Sequence, residues 1–140
     1  MIEPQQIGTC AILVNNQGLI LLGKRKNGYK AGFFGLPGGR VEINEPLIKT
    51  IQREVKEETG IEVVEPQYLG VIRENQGGYD FIHFVFTARV GDAQPVLAEP
   101  DKCEDWEWFD LSKTLPRVLP GHVAAIDMFL CKEKLIDITS

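Results

Sequence analysis

Between Glu45 and Gly60 the chain sets two demands on one helix. Leu47, Ile48, Ile51 and Val55 recur at helical spacing and form an apolar stripe. Glu54, Glu57 and Glu58 stand at i, i+3 and i+4 and share the adjoining face. A fold that accepts this segment must bury the stripe while keeping three carboxylates at the edge of the core. Pro46 suits a first helical position and Gly60 a C-terminal stop, so a helix is predicted from near Glu45 to Gly60. Acidic side chains in its last turns oppose the helix dipole, and three neighbouring anions repel one another. Lys49, Arg53 and Lys56 offer partial relief, as on any solvated helix face. A divalent cation offers more, because Gly38-Gly39 just upstream lets a backbone carbonyl approach as a further oxygen ligand. Glu45 lies about two and a half turns before Glu54, within reach of Arg53.

The rest of the composition narrows the setting. A chain of 140 residues, 44% hydrophobic and 25% charged, suits one domain over residues 1–140 with a full core. It has no apolar run near the ~18 residues of a membrane span, and Met1-Ile2-Glu3-Pro4 does not begin a secretory signal. Neither a membrane partner nor secretion is expected. Cys10, Cys103 and Cys131 are odd in number and widely spaced, which fits a reducing cytoplasm. Cys10 and Cys131 are read as packing residues. The net charge of −5 argues against a nucleic-acid polymer as partner. It would argue equally against a phosphate compound, were it not that a bound metal reverses the local field. One basic cluster, Lys24, Arg25, Lys26 and Lys30, is either a solvated loop or a phosphate contact.

Strands are predicted at Ile7–Val14 and Leu19–Leu22, joined as a hairpin through Asn15-Asn16-Gln17-Gly18. Asn27–Gly39, with five glycines, reads as an irregular shaped loop. Two long strands are expected at Glu62–Arg73 and Tyr79–Val90, turning through Glu74-Asn75-Gln76-Gly77-Gly78. The second is apolar on both faces and therefore central. Trp106–Leu111 reads as a short aromatic strand, and His122–Lys134 as a final helix burying Val123, Ile126, Met128, Phe129 and Leu130. His83 is read as a structural strand residue, and His122 has no role in the reading. Strands with helices between and after them imply a sheet covered by helices.

Gly39, Glu45, Arg53, Glu54, Val55, Glu57, Glu58, Gly60 and Ile61 resemble the Nudix box, G-x5-E-x7-R-E-U-x-E-E-x-G-U with U aliphatic, at every fixed position across residues 39–61. The lead-in Leu36-Pro37-Gly38-Gly39 and the earlier Leu21-Leu22-Gly23-Lys24-Arg25 are similar to the family as well. The resemblance implies an α/β fold, an α/β/α sandwich with a mixed central sheet. It also implies hydrolysis of a nucleoside diphosphate linked to another group, with Mg²⁺ or Mn²⁺ as cofactor. By position, Glu54, Glu57 and Glu58 would hold metal, with the Gly39 or Gly38 carbonyl added. Arg53 would pair with Glu45 and orient the cluster. The base is Glu54 or Glu57 within the box, or Glu99 or Glu104 from a later loop.

Residues 99–108 and the lead-in look similar to the MutT-like nucleoside triphosphate pyrophosphohydrolases. A (deoxy)nucleoside triphosphate, cut to monophosphate and pyrophosphate, is therefore the expected partner, in the manner of nucleotide-pool sanitation. Phe34 or Leu36 would line the base, the backbone around Gly38 would read its edge, and Arg25 and Arg40 would contact phosphate. Gly35 stands where similar chains have a larger residue, and would enlarge the base pocket. Trp106 and Trp108 share a strand face and are read as core. The alternatives are a hydrolase of sugar nucleotides, ADP-ribose or dinucleoside polyphosphates, and a non-catalytic nucleotide sensor. The ADP-ribose type is disfavoured because the chain has no room for an extra N-terminal strand region, and Pro66 lies too near the box. A homodimer is left open.

Overall fold

The computed structural model describes residues 4–28, 30–76, 79–131 and 134–139. The expected Gly77-Gly78 turn, Lys132 and Glu133 of the expected last helix and the first three residues lie outside them. Among the described residues ten elements follow in order: β1 (Gln6–Asn15), β2 (Ile20–Arg25), β3 (Phe34–Gly35), β4 (Gly38–Arg40), α1 (Leu47–Thr59), β5 (Gln67–Gln76), β6 (Tyr79–Gly91), β7 (Cys103–Phe109), α2 (Pro120–Cys131) and β8 (Leu135–Thr139).

The sheet runs β3-β2-β1-β6-β5-β8, with β4 added to β1 and β7 to β2. β1 and β6 are parallel, as are β5 and β8, while the remaining pairs are antiparallel, so the sheet is mixed. Alternation along β1 explains the two layers on it. Cys10 and Ile12 face a core shared with Ala124, Ala125, Ile126 and Met128 of α2. Ala11 and Leu13 face the opposite core, with Ile51 and Val55 of α1. This is the α/β/α sandwich that was expected, with β6 central between β1 and β5.

β1 divides one edge between two partners. Near its end it meets β2 at Val14↔Ile20, while Gly8, Thr9 and Cys10 pair with Arg40, Gly39 and Gly38 of β4. The strand thus holds the glycine-rich segment directly in front of α1.

Several expected boundaries shift. α1 starts at Leu47, with Pro46 extended at the cap, and ends at Gly60 in the left-handed conformation (φ 75°). Ile48 is 48% exposed rather than buried; its place is taken by Thr50, fully buried and hydrogen-bonded through Oγ1 to Glu45 Oε1 (2.7 Å). β5 begins at Gln67, not Glu62, because Pro66 withholds a backbone donor just before it. β7 begins three residues early, at Cys103. α2 starts at Pro120 and stops at Cys131, and the apolar run Leu135–Ile138 leaves it to become β8 beside β5. Val123 and Leu130 face outward, and Cys131 is exposed, unlike buried Cys10. Among the described residues no helix is long and apolar enough to cross a membrane.

Candidate active site

Arg53 gathers the acidic face of α1. Its Nε donates to Glu45 Oε2 (2.7 Å) and its Nη2 to Glu45 Oε1 (3.0 Å), a two-pronged pair. Nη1 donates to Glu54 Oε1 (2.7 Å) and reaches Glu57 at 3.4 Å, while Nη2 also donates to the Arg40 carbonyl (3.2 Å). Glu45 is aimed by a local turn. Asn44 takes a left-handed backbone (φ 66°), and the Glu42 amide donates to Glu45 Oε1 (3.2 Å). The Arg53 guanidinium, then the Thr50 hydroxyl, hold the Glu45 carboxyl down at about 2. Arg53 is raised in turn.

The segment from Leu36 to Gly39 faces this helix and is tied at each residue. The Leu36 amide donates to His122 Nδ1 (2.8 Å), and the Pro37 carbonyl accepts from the Ala11 amide (2.9 Å). The Gly38 amide donates to Glu58 Oε1 (2.8 Å), and the Gly39 carbonyl accepts from Thr9 Oγ1 (3.1 Å). Gly38 is required, and Gly39 makes room for Glu54. Gly38 has φ 152°, and a Cβ on it would come within 2.7 Å of the Cys10 Cα. A Cβ on Gly39 would lie 2.7 Å from Glu54 Oε1, so its absence lets the carboxylate rest against the loop backbone.

Glu58 forms part of the wall of a cavity of about 300 Å³, together with Lys24, Arg25, Leu36, Glu99, Lys102, Cys103 and Trp106. Solvent reaches Glu58 from this cavity, but the protein packed around it removes most of its hydration. That burial, with the Glu54 and Glu99 carboxylates nearby, pushes the Glu58 carboxyl up to about 8 against the opposing Gly38 hydrogen bond. Burial raises Glu54 also, in opposition to Arg53, and Glu57 and Glu99 add to the rise. Trp106 closes one side, its Nε1 donating to the Glu58 carbonyl (3.2 Å). It lies flat on β2 because Gly23 has no side chain; a Cβ there would stand 2.7 Å from the indole.

The rims of the cavity are joined to each other. The Lys26 amide donates to the Lys102 carbonyl (3.0 Å), Lys26 Nζ to the Pro100 carbonyl (3.1 Å) and the Asn27 side-chain amide to the Asp101 carbonyl. Lys24 pairs with Glu104 at 3.4 Å.

The expected site residues divide accordingly. Glu45, Arg53, Glu54 and Glu57 form one hydrogen-bonded cluster, with Gly39 against Glu54 and Gly38 on Glu58. Arg25, Leu36 and Glu58 line the cavity. Phe34, expected against a base, packs instead in the α2-side core, edge-on to Phe109 (centroids 5.5 Å apart). Arg40 is exposed and contributes its carbonyl to Arg53. Glu104 faces Lys24 and is not among the cavity-lining residues, whereas Glu99 is. Gly35 lines the cavity, and a Cβ there would meet His122 Nδ1 at 3.0 Å. His122, Asp101 and Lys102 also line the cavity and were not singled out from the sequence. Only contacts across distant segments give them away.

Among the described residues no three of His, Cys, Asp and Glu stand close enough to hold a metal ion. In chemistry the donors fit Mg²⁺ or Mn²⁺ nonetheless. They are all oxygen, and burial raises both the Glu54 and the Glu58 carboxyl, a cost that a hard cation would relieve.

A family model for the NUDIX domain matches residues 4–129. The chain is 34% identical over 122 residues to an ADP-ribose pyrophosphatase of Methanocaldococcus jannaschii, covering 84% of this chain and 69% of that one. It is 31% identical over 102 residues to an oxidized purine nucleoside triphosphate hydrolase of Danio rerio, covering 73% of this chain and 65% of the relative. The fold is similar to a crystal structure of a MutT NUDIX hydrolase from Burkholderia pseudomallei, with TM-score 0.82, 32% identity, and coverage of 89% of this chain and 98% of that one.

Proposed function

Because this chain belongs to the NUDIX domain family and is a hydrolase of phosphorus-containing anhydrides, we propose that it cleaves a nucleoside triphosphate to the monophosphate and pyrophosphate. One observation carries the reading. Glu58 lines a cavity that also holds Glu99 and the cations Lys24, Arg25 and Lys102, so anionic and cationic groups face one space. An oxygen-rich acidic wall suits a divalent cation, and the lysines and arginine suit phosphate oxygens.

Glu54, Glu57 and Glu58 would hold Mg²⁺ or Mn²⁺, which supplies charge neutralisation and activation of water. Arg53 then acts as an orienting group, since its fork on Glu45 fixes the guanidinium from which Glu54 and Glu57 are aimed. Glu99 takes the proton from the attacking water. It lines the cavity beside Glu58, with Lys102 at 3.6 Å, whereas Glu104 is not among the lining residues and Glu54 is held by Arg53 at 2.7 Å. Lys24, Arg25 and Lys102 bind the phosphate chain, and Leu36 and Trp106 give the base an apolar wall.

ADP-ribose is the second reading, favoured by the 34% identity to the Methanocaldococcus jannaschii pyrophosphatase. That similarity weighs against the sequence argument from Pro66 and the short N-terminal region. A panel of nucleoside triphosphates, ADP-ribose and sugar nucleotides, incubated with Mg²⁺ or Mn²⁺, separates the two. Pyrophosphate release from a triphosphate supports the first. Turnover of ADP-ribose with no triphosphate cleaved replaces it with the second.

A further inference from the structure

We infer that His122 is a positioning residue of this site, its Nδ1 anchoring the Leu36 amide and so fixing the Leu36–Gly39 turn against Glu54 and Glu58. The role presupposes the metal-dependent site proposed above, but it arises from a different part of the chain.

The approach to α2 runs along β3 like an added strand. The Phe34 amide donates to the Arg117 carbonyl (2.7 Å), the Leu119 amide donates to the Phe34 carbonyl (2.9 Å), and Phe34 bridges Val118 in parallel. The next donor in line is the Leu36 amide, and there the acceptor changes from backbone to the imidazole of His122, 2.8 Å away and 86 residues further along the chain. Beyond it the turn carries only the Gly38 and Gly39 amides, because Pro37 has none. His122 is thus the tie from the α2 layer to the turn, while Glu58 and Thr9 tie it from the other side.

The tie has a defined chemical state. An imidazole accepting at Nδ1 must be neutral, with its proton on Nε2. Burial, with lesser repulsion from His83 and Arg25, pushes the His122 ring down to about 3 and so keeps the acceptor available near neutrality. Space for the ring comes from Gly35. A Cβ there would stand 3.0 Å from Nδ1 and 3.2 Å from Leu119 Cδ1, and the backbone at Gly35 is otherwise ordinary. Gly35 and His122 are therefore one device, with the ring occupying the room that a side chain on β3 would take.

The test measures Mn²⁺ affinity, by calorimetry or by paramagnetic resonance of free ion, in wild type, H122A, H122N, G35A and E58Q. Circular dichroism checks each fold, and hydrogen exchange is read at the Leu36 amide. H122A and G35A are expected to weaken Mn²⁺ binding by roughly 10–100-fold, in the range seen for groups that orient metal ligands. Exchange at Leu36 should rise in both. H122N, whose Oδ1 can take the place of Nδ1, should restore affinity and protection. A folded H122A or G35A with wild-type affinity overturns the inference, as does weakening without faster exchange at Leu36, or an H122N no better than H122A. If H122A does not fold, the comparison of G35A with H122N decides. E58Q keeps the two ideas separate. Wild-type Mn²⁺ affinity in E58Q means that the metal site itself is misread, whereas lost affinity there with intact affinity in G35A rejects only the role of His122.

Discussion

Arg53 and Glu45 meet as a fork on a carboxylate, Nε to Oε2 at 2.7 Å and Nη2 to Oε1 at 3.0 Å, across eight residues and the N-terminal boundary of α1. The same guanidinium touches Glu54 and Glu57, so the pair sets where two candidate metal ligands point. A lysine at 53 keeps the charge but loses the planar fork. R53K should therefore lower kcat by on the order of 100-fold, the usual effect of misaimed catalytic groups, while its circular dichroism stays that of wild type. Turnover within a few-fold of wild type would show that the fork does not aim the site.

Glu58 links metal and pH. Its carboxyl rises from an ordinary value to about 8 on folding, so the folded state favours the proton more than the unfolded chain does. In metal-free protein this contribution to stability is full below about pH 4.5 and is lost as pH climbs towards about 8. Thermal melts in a chelator should show Tm declining from pH 6.5 to 8, above the range in which His122 opposes the effect, with Mg²⁺ or Mn²⁺ restoring it at pH 8. E58Q should lose metal-dependent turnover and melt higher than metal-free wild type at pH 8. Wild-type turnover in E58Q would mean that the metal lies elsewhere.

The acid limb has other sources. Burial depresses His122 from 6.5 to about 3, so its stabilising contribution is complete above 6.5 and falls away as pH drops towards 3. Glu45, held at about 2 by Arg53, adds a loss that begins near 4.5 and continues downward. Denaturant midpoints followed from pH 4.5 to 3, below the window of Glu58, should decline in wild type. Between pH 6.5 and 4.5, where Glu58 and His122 act in opposite senses, H122N should gain stability relative to wild type as pH falls; parallel curves would remove His122 as a source.

Glu99 and Glu104 each pair with a lysine, but Glu99 lines the cavity and Glu104 is not among its lining residues. E99Q should cut kcat by roughly 10²–10⁴-fold, the range for a lost general base, with Mn²⁺ affinity little changed. E104Q, which gives up only an exposed pair with Lys24, should stay near wild type. Equal losses in both would point to an electrostatic role shared by the loop.

Gly38 admits no side chain. At φ 152°, with a Cβ directed within 2.7 Å of the Cys10 Cα, G38A should destabilise the fold by at least about 1–3 kcal/mol. Chemical denaturation of the variant measures this, and an unchanged midpoint would mean that β4 can shift away from β1.

Legibility in the sequence followed the range of the forces involved. α1, β1 and β6 were readable because their cores follow local periods, 3.6 for Ile51 and Val55 and two for Cys10 to Leu13. The Nudix box was readable because its nine positions lie within one 23-residue stretch. β3 and β4 were not, as Phe34-Gly35 and Gly38–Arg40 are too short and glycine-rich to read as strands and exist through their partners. β8 was hidden because Leu135–Ile138 continues the apolar composition of α2, and only pairing with β5 distinguishes it. Phe34 is aromatic and next to the glycine turn, yet alternation along β3 turns it into the core, while Gly35 abuts His122. His122 was silent for a simple reason: its partner is a backbone amide 86 residues away.

The seam between the 24–27 and 99–104 segments bears on how such a cavity acquires a new preference. Lys26 and Asn27 grip the carbonyls of Pro100, Asp101 and Lys102, so neither rim has an independent shape. Grafting one rim from a relative with a different diet would leave the other with orphaned carbonyls or amides and a distorted mouth. Under the proposed function, a chimera that exchanges both segments together is the one that should carry a foreign preference intact.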